Sequence, residues 1–164
     1  MIMILQMKQI KVLVITFLLF FSLEIFAQKR DVLILWDVTY SMKGATATGI
    51  VPAMAIWEET KDLIIAQIGN MQPDGISAIH ILPFQNPSDN PENLDWVIEE
   101  DINRPKIAKL QKWVEDFDFP FNQSGRSTNL CGALELAMQK ITSLRERSDE
   151  IILAVYSDGG QSPA

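Results

Sequence analysis

The sequence predicts an α/β domain in which a doubly wound, mostly parallel sheet is flanked by helices. Short apolar runs, typical of strands buried on both faces, occupy residues 31–36, 76–84 and 151–157. Segments with apolar residues at helical intervals separate these runs along the chain. Strands that alternate with helices favour a parallel sheet covered on both faces, and 164 residues suffice for one such domain.

The remaining elements follow from periodicity and from the residues that end each segment. A shorter run, residues 94–100, alternates enough to predict a third strand at an edge of the sheet. Apolar residues at helical spacing predict helices at residues 50–70, 103–117 and 128–147, with Pro52 in the first turn of the first. The buried side of the last helix is predicted to consist of Leu130, Leu134, Ala137, Met138, Ile141 and Leu144. The element order is therefore β-α-β-β-α-α-β.

Residues 1–27 have the pattern of a secretory signal peptide. The positively charged residues Lys8 and Lys11 precede an apolar run at residues 12–21. A small residue, Ala27, follows at a position where a signal peptidase could cut. The apolar run is short for a membrane span, so we expect cleavage and a membrane association only where cleavage fails. The remaining domain, residues 28–164, is then exported to a periplasm, the cell surface or the medium.

The composition argues against nucleic acid as a partner. The net charge is −7, and it becomes −8 when residues 1–27 are removed. No basic patch is evident in the sequence to contact phosphates. Cys131 is the single cysteine, so it cannot form an internal disulfide, and we expect it to be buried on a helix. The single histidine, His80, lies in an apolar run and is predicted to be a strand residue rather than a ligand or a base.

Polar residues gather where the predicted strands end and where a predicted helix begins. Asp37, Thr39 and Ser41 follow the first strand, Thr128 opens the last helix, and Asp158 follows the last strand. In doubly wound sheets, ligands bind outside the carboxyl ends of the strands, so these side chains should converge there. Alternate residues of an extended segment point the same way, and carboxylate and hydroxyl oxygens are ligands of hard divalent cations.

The segments "DVTYSM", "SGRSTNL" and "VYSDGG" together resemble the metal-ion-dependent adhesion site of a von Willebrand factor type A domain. The resemblance implies one bound Mg²⁺, or Mn²⁺ or Ca²⁺. Thr39, Ser41 and Thr128 would bind the ion directly or nearly so, and Asp37 and Asp158 would act largely through water. An acidic residue of a partner protein would take the vacant coordination position. The resemblance thus implies an adhesion module, with neither enzymatic activity nor a small-molecule substrate.

The chain departs from the family's pattern in three respects. Thr39 stands where the family usually has serine, and Tyr40 stands where a small residue is common and would narrow or decorate the mouth of the site. The family's fold continues with further helices and two more strands, whereas this sequence ends at Ala164. We therefore expect an incomplete domain, truncated at its C-terminus, with the strand before Asp158 at an edge of the sheet.

Two alternatives remain open. The same order of residues resembles a haloacid-dehalogenase-type phosphatase, in which Asp37 would be the nucleophile and Mg²⁺ an electrostatic clamp. That family requires a second acid two residues later, where this chain has Thr39, and its threonine ends an apolar strand, whereas Thr128 follows a polar segment. The other alternative is a truncated domain with no working site, in which Thr128 and the remaining hydroxyls are ordinary capping and loop residues.

Overall fold

The computed structural model describes residues 29–46, 49–85, 95–118 and 129–158. The predictions for residues 1–27, for the loop at 86–94 and for Thr128 lie outside these ranges. The described strands are β1 (Arg30–Asp37), β2 (Lys43–Thr46), β3 (Gly49–Ala55), β4 (Ile76–Phe84), β5 (Val97–Glu100) and β6 (Glu150–Tyr156). The described α-helices are α1 (Trp57–Asn70), α2 (Arg104–Asp116) and α3 (Leu130–Leu144), and residues Tyr40–Met42 form a 3-10 turn. No described helix is long and apolar enough to cross a membrane.

A four-stranded, mostly parallel sheet with the order β5-β4-β1-β6 forms the centre of a mixed α/β fold. The central strand β1 is parallel to β4 and to β6, so Ile34 lies between Ile81 and Ala154. The strand β5 is short and antiparallel, and it lies at one edge, as the sequence predicts. The strand β6 lies at the other edge of the described sheet, which was also expected. Three parallel strands therefore end at the same side of the sheet.

Helices pack against both faces of this sheet. The larger core cluster lies on the face covered by α1 and α2, where Trp36 stacks on Trp57 with ring centroids 4.9 Å apart. Leu35 and Phe84 belong to a smaller cluster with Ala133 and Ala137 of α3. Because consecutive strand residues point to opposite faces, the neighbours Leu35 and Trp36 anchor the two clusters. Every residue of β1 after Arg30 is buried, which explains its unbroken apolar run.

The helix predicted at residues 50–70 begins only at Trp57, because residues 49–55 form the strand β3. This strand pairs with β2 as a small antiparallel hairpin, which the sequence prediction missed. The pairing is irregular between Lys43 and Ala45, and Pro52 lies within the irregular stretch of β3. Proline is tolerated in strands at such irregularities because it has no N–H to donate. Pro52 was therefore wrongly interpreted as the first turn of a helix.

The predicted buried stripe of α3 is wrong in part. Ala133, Ala137 and Leu144 are buried, whereas Leu134 and Met138 are exposed. Ala133 and Ala137 face the smaller core cluster, so the larger residues Leu134 and Met138 lie away from it. Cys131 is exposed rather than buried, because it lies on the outward side of the same helix.

Candidate metal centre

Asp37 lies at the carboxyl end of the central strand and is fully buried. Its Oδ1 accepts a hydrogen bond of 3.0 Å from the backbone N–H of Thr39 and one of 2.6 Å from the Thr39 hydroxyl. An aspartate that bonds the backbone two residues ahead of it turns the chain locally. The carboxylate therefore both ends β1 and orients the residues that follow.

The hydroxyls of Thr39 and Ser41 extend this network. Their Oγ1 and Oγ atoms are 3.0 Å apart. A hydroxyl has one hydrogen to donate, and that of Thr39 is directed at Asp37, so Ser41 donates to Thr39. The predicted convergence of these three side chains is thus present. It does not arise from an extended strand, because Ser41 lies in the 3-10 turn that begins one residue after Thr39.

Two residues that follow β6 complete the described part of the site. The Ser157 hydroxyl donates a 2.7 Å hydrogen bond to Oδ2 of Asp37. Tyr156 pairs in register with Trp36, so parallel pairing brings the next residues of the two strands side by side. Ser157 was not predicted as a site residue. Its position directly before Asp158 at the end of a strand could have suggested it. Asp158 itself is exposed and near enough to influence the charge of Asp37.

Burial is the main cause that raises the pKa of Asp37 above its ordinary value. The hydrogen bonds from Thr39 and Ser157 oppose this effect, because they stabilise the ionised form. The negative charge of Asp158 adds to the increase. A buried carboxylate whose ionised form is further destabilised by a neighbouring acidic residue is a suitable environment for a cation, which would offset the repulsion.

The donor chemistry fits a hard divalent ion held partly by neutral oxygens. The described residues contain no group of three or more His, Cys, Asp or Glu side chains that could hold a metal. Two carboxylates, those of Asp37 and Asp158, and the hydroxyls of Thr39 and Ser41 are available instead. Oxygen-only sets of this kind suit Mg²⁺, Mn²⁺ or Ca²⁺ and do not suit metals that prefer sulfur or imidazole.

The fifth predicted residue, Thr128, lies outside the described residues. Its neighbour Asn129 caps α3, accepting a 2.9 Å hydrogen bond from the backbone N–H of Gly132. Leu130 packs on the cluster that contains Leu35 and Phe84, so the N-terminal end of α3 lies near the carboxyl ends of β1 and β4. One alternative from the sequence was that Thr128 caps this helix. In the structure the capping residue is Asn129.

Two other residues singled out in the sequence have no hydrogen bond described to this centre, although Tyr40 belongs to its 3-10 turn. His80 is a buried residue of β4, as predicted, and its Nε2 lies 3.1 Å from Oδ1 of Asp31 near the other end of the sheet. Tyr40 is half-buried and packs against the larger core cluster.

Comparison with known proteins adds no assignment to this geometry. No protein-family model matches the chain, and no curated protein matches it in a sequence search.

Proposed function

We propose that this chain is an exported, divalent-metal-dependent protein-binding module with a doubly wound fold of von Willebrand factor A type. The observation that supports this proposal best is the buried network at the end of β1. There, the Asp37 carboxylate joins the hydroxyls of Thr39 and Ser157, and Thr39 in turn contacts Ser41. Asp158, which follows β6, is near enough for its charge to raise the pKa of Asp37. The hydrogen bonds join three of the expected site residues, Asp37, Thr39 and Ser41, and this supports the proposal.

The sheet supports the fold assignment in the proposal. Its parallel strands β4, β1 and β6 carry one antiparallel edge strand, and helices pack on both faces. This arrangement places the ends of β1 and β6 side by side, as a site shared between them requires. Other α/β proteins could contain the same arrangement of strands. The feature that favours this proposal over them is therefore the hydrogen-bond network at Asp37.

In the proposed site, the hydroxyl oxygens of Thr39, Ser41 and Thr128 hold the ion, and Asp37 and Asp158 act through bound water. When bound, the ion would act as an electrophile to which a carboxylate of the partner can bind. Neutral hydroxyl ligands leave most of its positive charge uncompensated, so it retains attraction for an anion. We therefore propose that the partner is a protein that presents an acidic side chain.

The proposal includes export and the domain boundaries at residues 28–164. The pattern of positive, apolar and small residues in the first 27 positions supports it.

A direct titration with Mn²⁺ tests the metal site. We expect one Mn²⁺ per chain, with weak affinity because no partner carboxylate is present. Thr39→Val removes the hydroxyl, preserves the shape of the side chain, and should weaken binding by at least about tenfold. The measurement is isothermal titration calorimetry, and Thr142→Val on the exposed side of α3 is the matched control. A folded chain that binds no ion would support the alternative of a domain without a working site.

The phosphatase alternative predicts catalytic turnover, whereas a protein-binding module should have none. Both oxygens of Asp37 accept hydrogen bonds and the residue is fully buried, which makes it a poor nucleophile. Thr39 cannot serve as the general acid that such an enzyme requires. We expect no turnover of a phosphomonoester such as p-nitrophenyl phosphate with Mg²⁺, either by the wild type or by Thr39→Asp. Mg²⁺-dependent hydrolysis that disappears in Asp37→Asn would establish the phosphatase instead.

A further inference from the structure

An open cavity of about 540 Å³ lies at the amino ends of the parallel strands, at the end of the sheet opposite Asp37. Its lining comes from the starts of β1 and β4, the end of β5 and the turn between α3 and β6, all within the described ranges. None of its described lining residues belongs to β6. The cavity therefore lies between the interior strands and the turns beside them, and the outer edge of β6 takes no part in it.

The inside of the cavity combines apolar walls with one buried acid. Ile76, Ala78 and Ile102 line it, and each of them is 8% exposed or less. Asp31 lines the same cavity and is 1% exposed. Sites for small organic molecules are typically apolar cavities with a few polar groups that orient the ligand. The cavity has this composition, so the chemistry of Asp31 determines which ligand fits.

The Asp31 carboxylate has hydrogen bonds but no positive charge paired with it in the described structure. Its Oδ2 accepts from the Ser148 hydroxyl, and its Oδ1 lies 3.1 Å from Nε2 of His80. Burial lowers the pKa of His80 below its ordinary value of 6.5, so the ring is neutral at pH 7.5. The described ion pairs give Asp31 no lysine or arginine partner. Because buried charges in proteins are normally paired, a bound cation would complete this cluster.

The other charged residues that line the cavity balance one another. Arg147 pairs with Glu100, the Nη1–Oε1 distance being 3.4 Å, and the exposed residues Lys29 and Asp101 carry opposite charges. The lining thus contains two bases and three acids, and its net charge of −1 is that of Asp31. This charge attracts a cation and disfavours an anion.

The polar atoms beside Asp31 are hydrogen-bond acceptors. The Ser148 hydroxyl has one hydrogen, which it donates to Asp31, so its oxygen can only accept from a ligand. A carboxylate likewise accepts and does not donate. A ligand that fits must therefore supply donors, and an ammonium group supplies three together with the positive charge. A metal ion fits less well, since apolar walls offer it no ligands and the described part of the chain has no group of three or more His, Cys, Asp or Glu side chains that could hold one.

We propose that this cavity binds a small organic molecule through its primary ammonium group. Asp31 and Ser148 accept the hydrogen bonds of the ammonium, and the apolar part of the molecule lies against the apolar walls. The site is separate from the candidate metal centre, because Asp31 and Asp37 lie near opposite ends of β1, about 20 Å apart along an extended strand. A ligand can therefore bind here whether or not the centre at Asp37 holds a metal.

Benzylammonium is the probe that tests this site, and benzyl alcohol and benzoate are its neutral and negatively charged counterparts. We expect benzylammonium to bind the full chain, purified after any processing of its N-terminal segment, with a dissociation constant on the order of 1 mM. Benzyl alcohol should bind at least about tenfold more weakly, and benzoate should not bind. The measurement is a titration at pH 7.5 in chelator, followed by NMR. The backbone amide signals of Ser77, Asp101 and Ser148, which line the cavity, should shift.

Two substitutions in the cavity test the role of charge. Asp31→Asn keeps the size of the side chain and an acceptor for Ser148, and it should weaken benzylammonium binding at least about tenfold. Arg147→Ala removes a positive charge from the lining at a half-exposed position, and it should tighten binding about threefold. A site for anions would respond in the opposite direction. Asp62→Asn, at an exposed position of α1 outside the cavity, is the matched control and should bind like the wild type.

Thermal melts establish that each variant is folded. Amide signals at the cavity that do not shift at about 20 mM benzylammonium, or equal affinities for benzylammonium and benzyl alcohol, would overturn the proposal. So would preferential binding of benzoate, or a folded Asp31→Asn variant that binds as tightly as the wild type. If Asp31→Asn does not fold, Arg147→Ala decides, and binding that is unchanged or weaker in this variant excludes a cation site. Because the chelator removes divalent metals, these outcomes are independent of the proposed function.

Discussion

We expect Mg²⁺ or Mn²⁺, at ten times its dissociation constant, to raise the free energy of unfolding of the wild-type chain by about 1.4 kcal/mol. For a domain of this size, this corresponds to a melting temperature about 4 °C higher. The ion stabilises the chain because the oxygens of Asp37, Thr39 and Ser41 are assembled only in the folded state. Asp37→Asn should abolish the shift, and differential scanning calorimetry in chelator and in metal measures it.

The same variant should not lose stability in chelator, which separates a metal role from a purely structural one. The asparagine oxygen can still accept from Thr39, and the amide can donate to Ser157, whose hydroxyl then accepts. The substitution also removes a buried negative charge beside Asp158, which raises the pKa of Asp37. We therefore expect a metal-free variant at least as stable as the metal-free wild type.

An exposed aspartate provides the control. Asp62→Asn, on the outer surface of α1, should keep the full metal response. If wild type and Asp37→Asn respond equally to the ion, the centre at Asp37 does not bind it. A large loss of stability of Asp37→Asn in chelator would instead show that Asp37 mainly holds the backbone turn.

The strands of the sheet could be predicted because buried strands consist mostly of apolar residues, which can be recognised in the sequence. β1 and β4 are mostly apolar since both faces are covered, and the alternation of residues 97–100 reflects an exposed edge. The start of α1 could not be predicted, because Pro52 suits both a first helical turn and an irregular strand. The hairpin of β2 and β3 depends on pairing between segments whose individual signals are weak.

The site was predictable to the extent that it follows from topology. Strand ends of a parallel sheet meet at one side, so Asp37 and Asp158 had to be near each other once β6 was placed beside β1. Ser157 was missed because a hydroxyl at a strand end has many ordinary roles. The 3-10 turn at Tyr40–Met42 was missed because three residues give too little periodicity to detect.

We expect Asp31→Ala to lower the free energy of unfolding by about 3 kcal/mol, because it breaks a buried polar cluster near the other end of the sheet. Asp31 is almost completely buried and bonds Nε2 of His80 through one oxygen at 3.1 Å. Its other oxygen accepts from the hydroxyl of Ser148. The alanine would leave both of these polar groups without their acceptor. Urea denaturation at pH 7.5 measures the loss, and Asp116→Ala at an exposed position of α2 should change stability little.

The same cluster should make stability depend on pH through His80. Burial lowers the pKa of His80 in the folded chain, and the charges of Lys140 and Arg147 lower it further, whereas Asp31 opposes them. Its Nδ1 is buried with no hydrogen-bond partner among the described residues, so a proton there would gain no acceptor from them. The unfolded chain therefore binds the proton more readily, and stability is fully present above the unfolded value of 6.5 and is lost as pH falls below it.

This pH effect is isolated by comparing the wild type with His80→Gln, whose amide can still donate to Asp31 and does not titrate. Between pH 7.5 and 5.5 the wild type should lose up to about 1.4 kcal/mol more than the variant, because contributions from the acidic residues are common to both. Urea denaturation at both pH values gives the difference. A wild-type loss equal to that of His80→Gln would mean that His80 takes up its proton within the fold at its ordinary pKa. A smaller loss in the wild type would mean that Asp31 stabilises the charged form enough to outweigh burial.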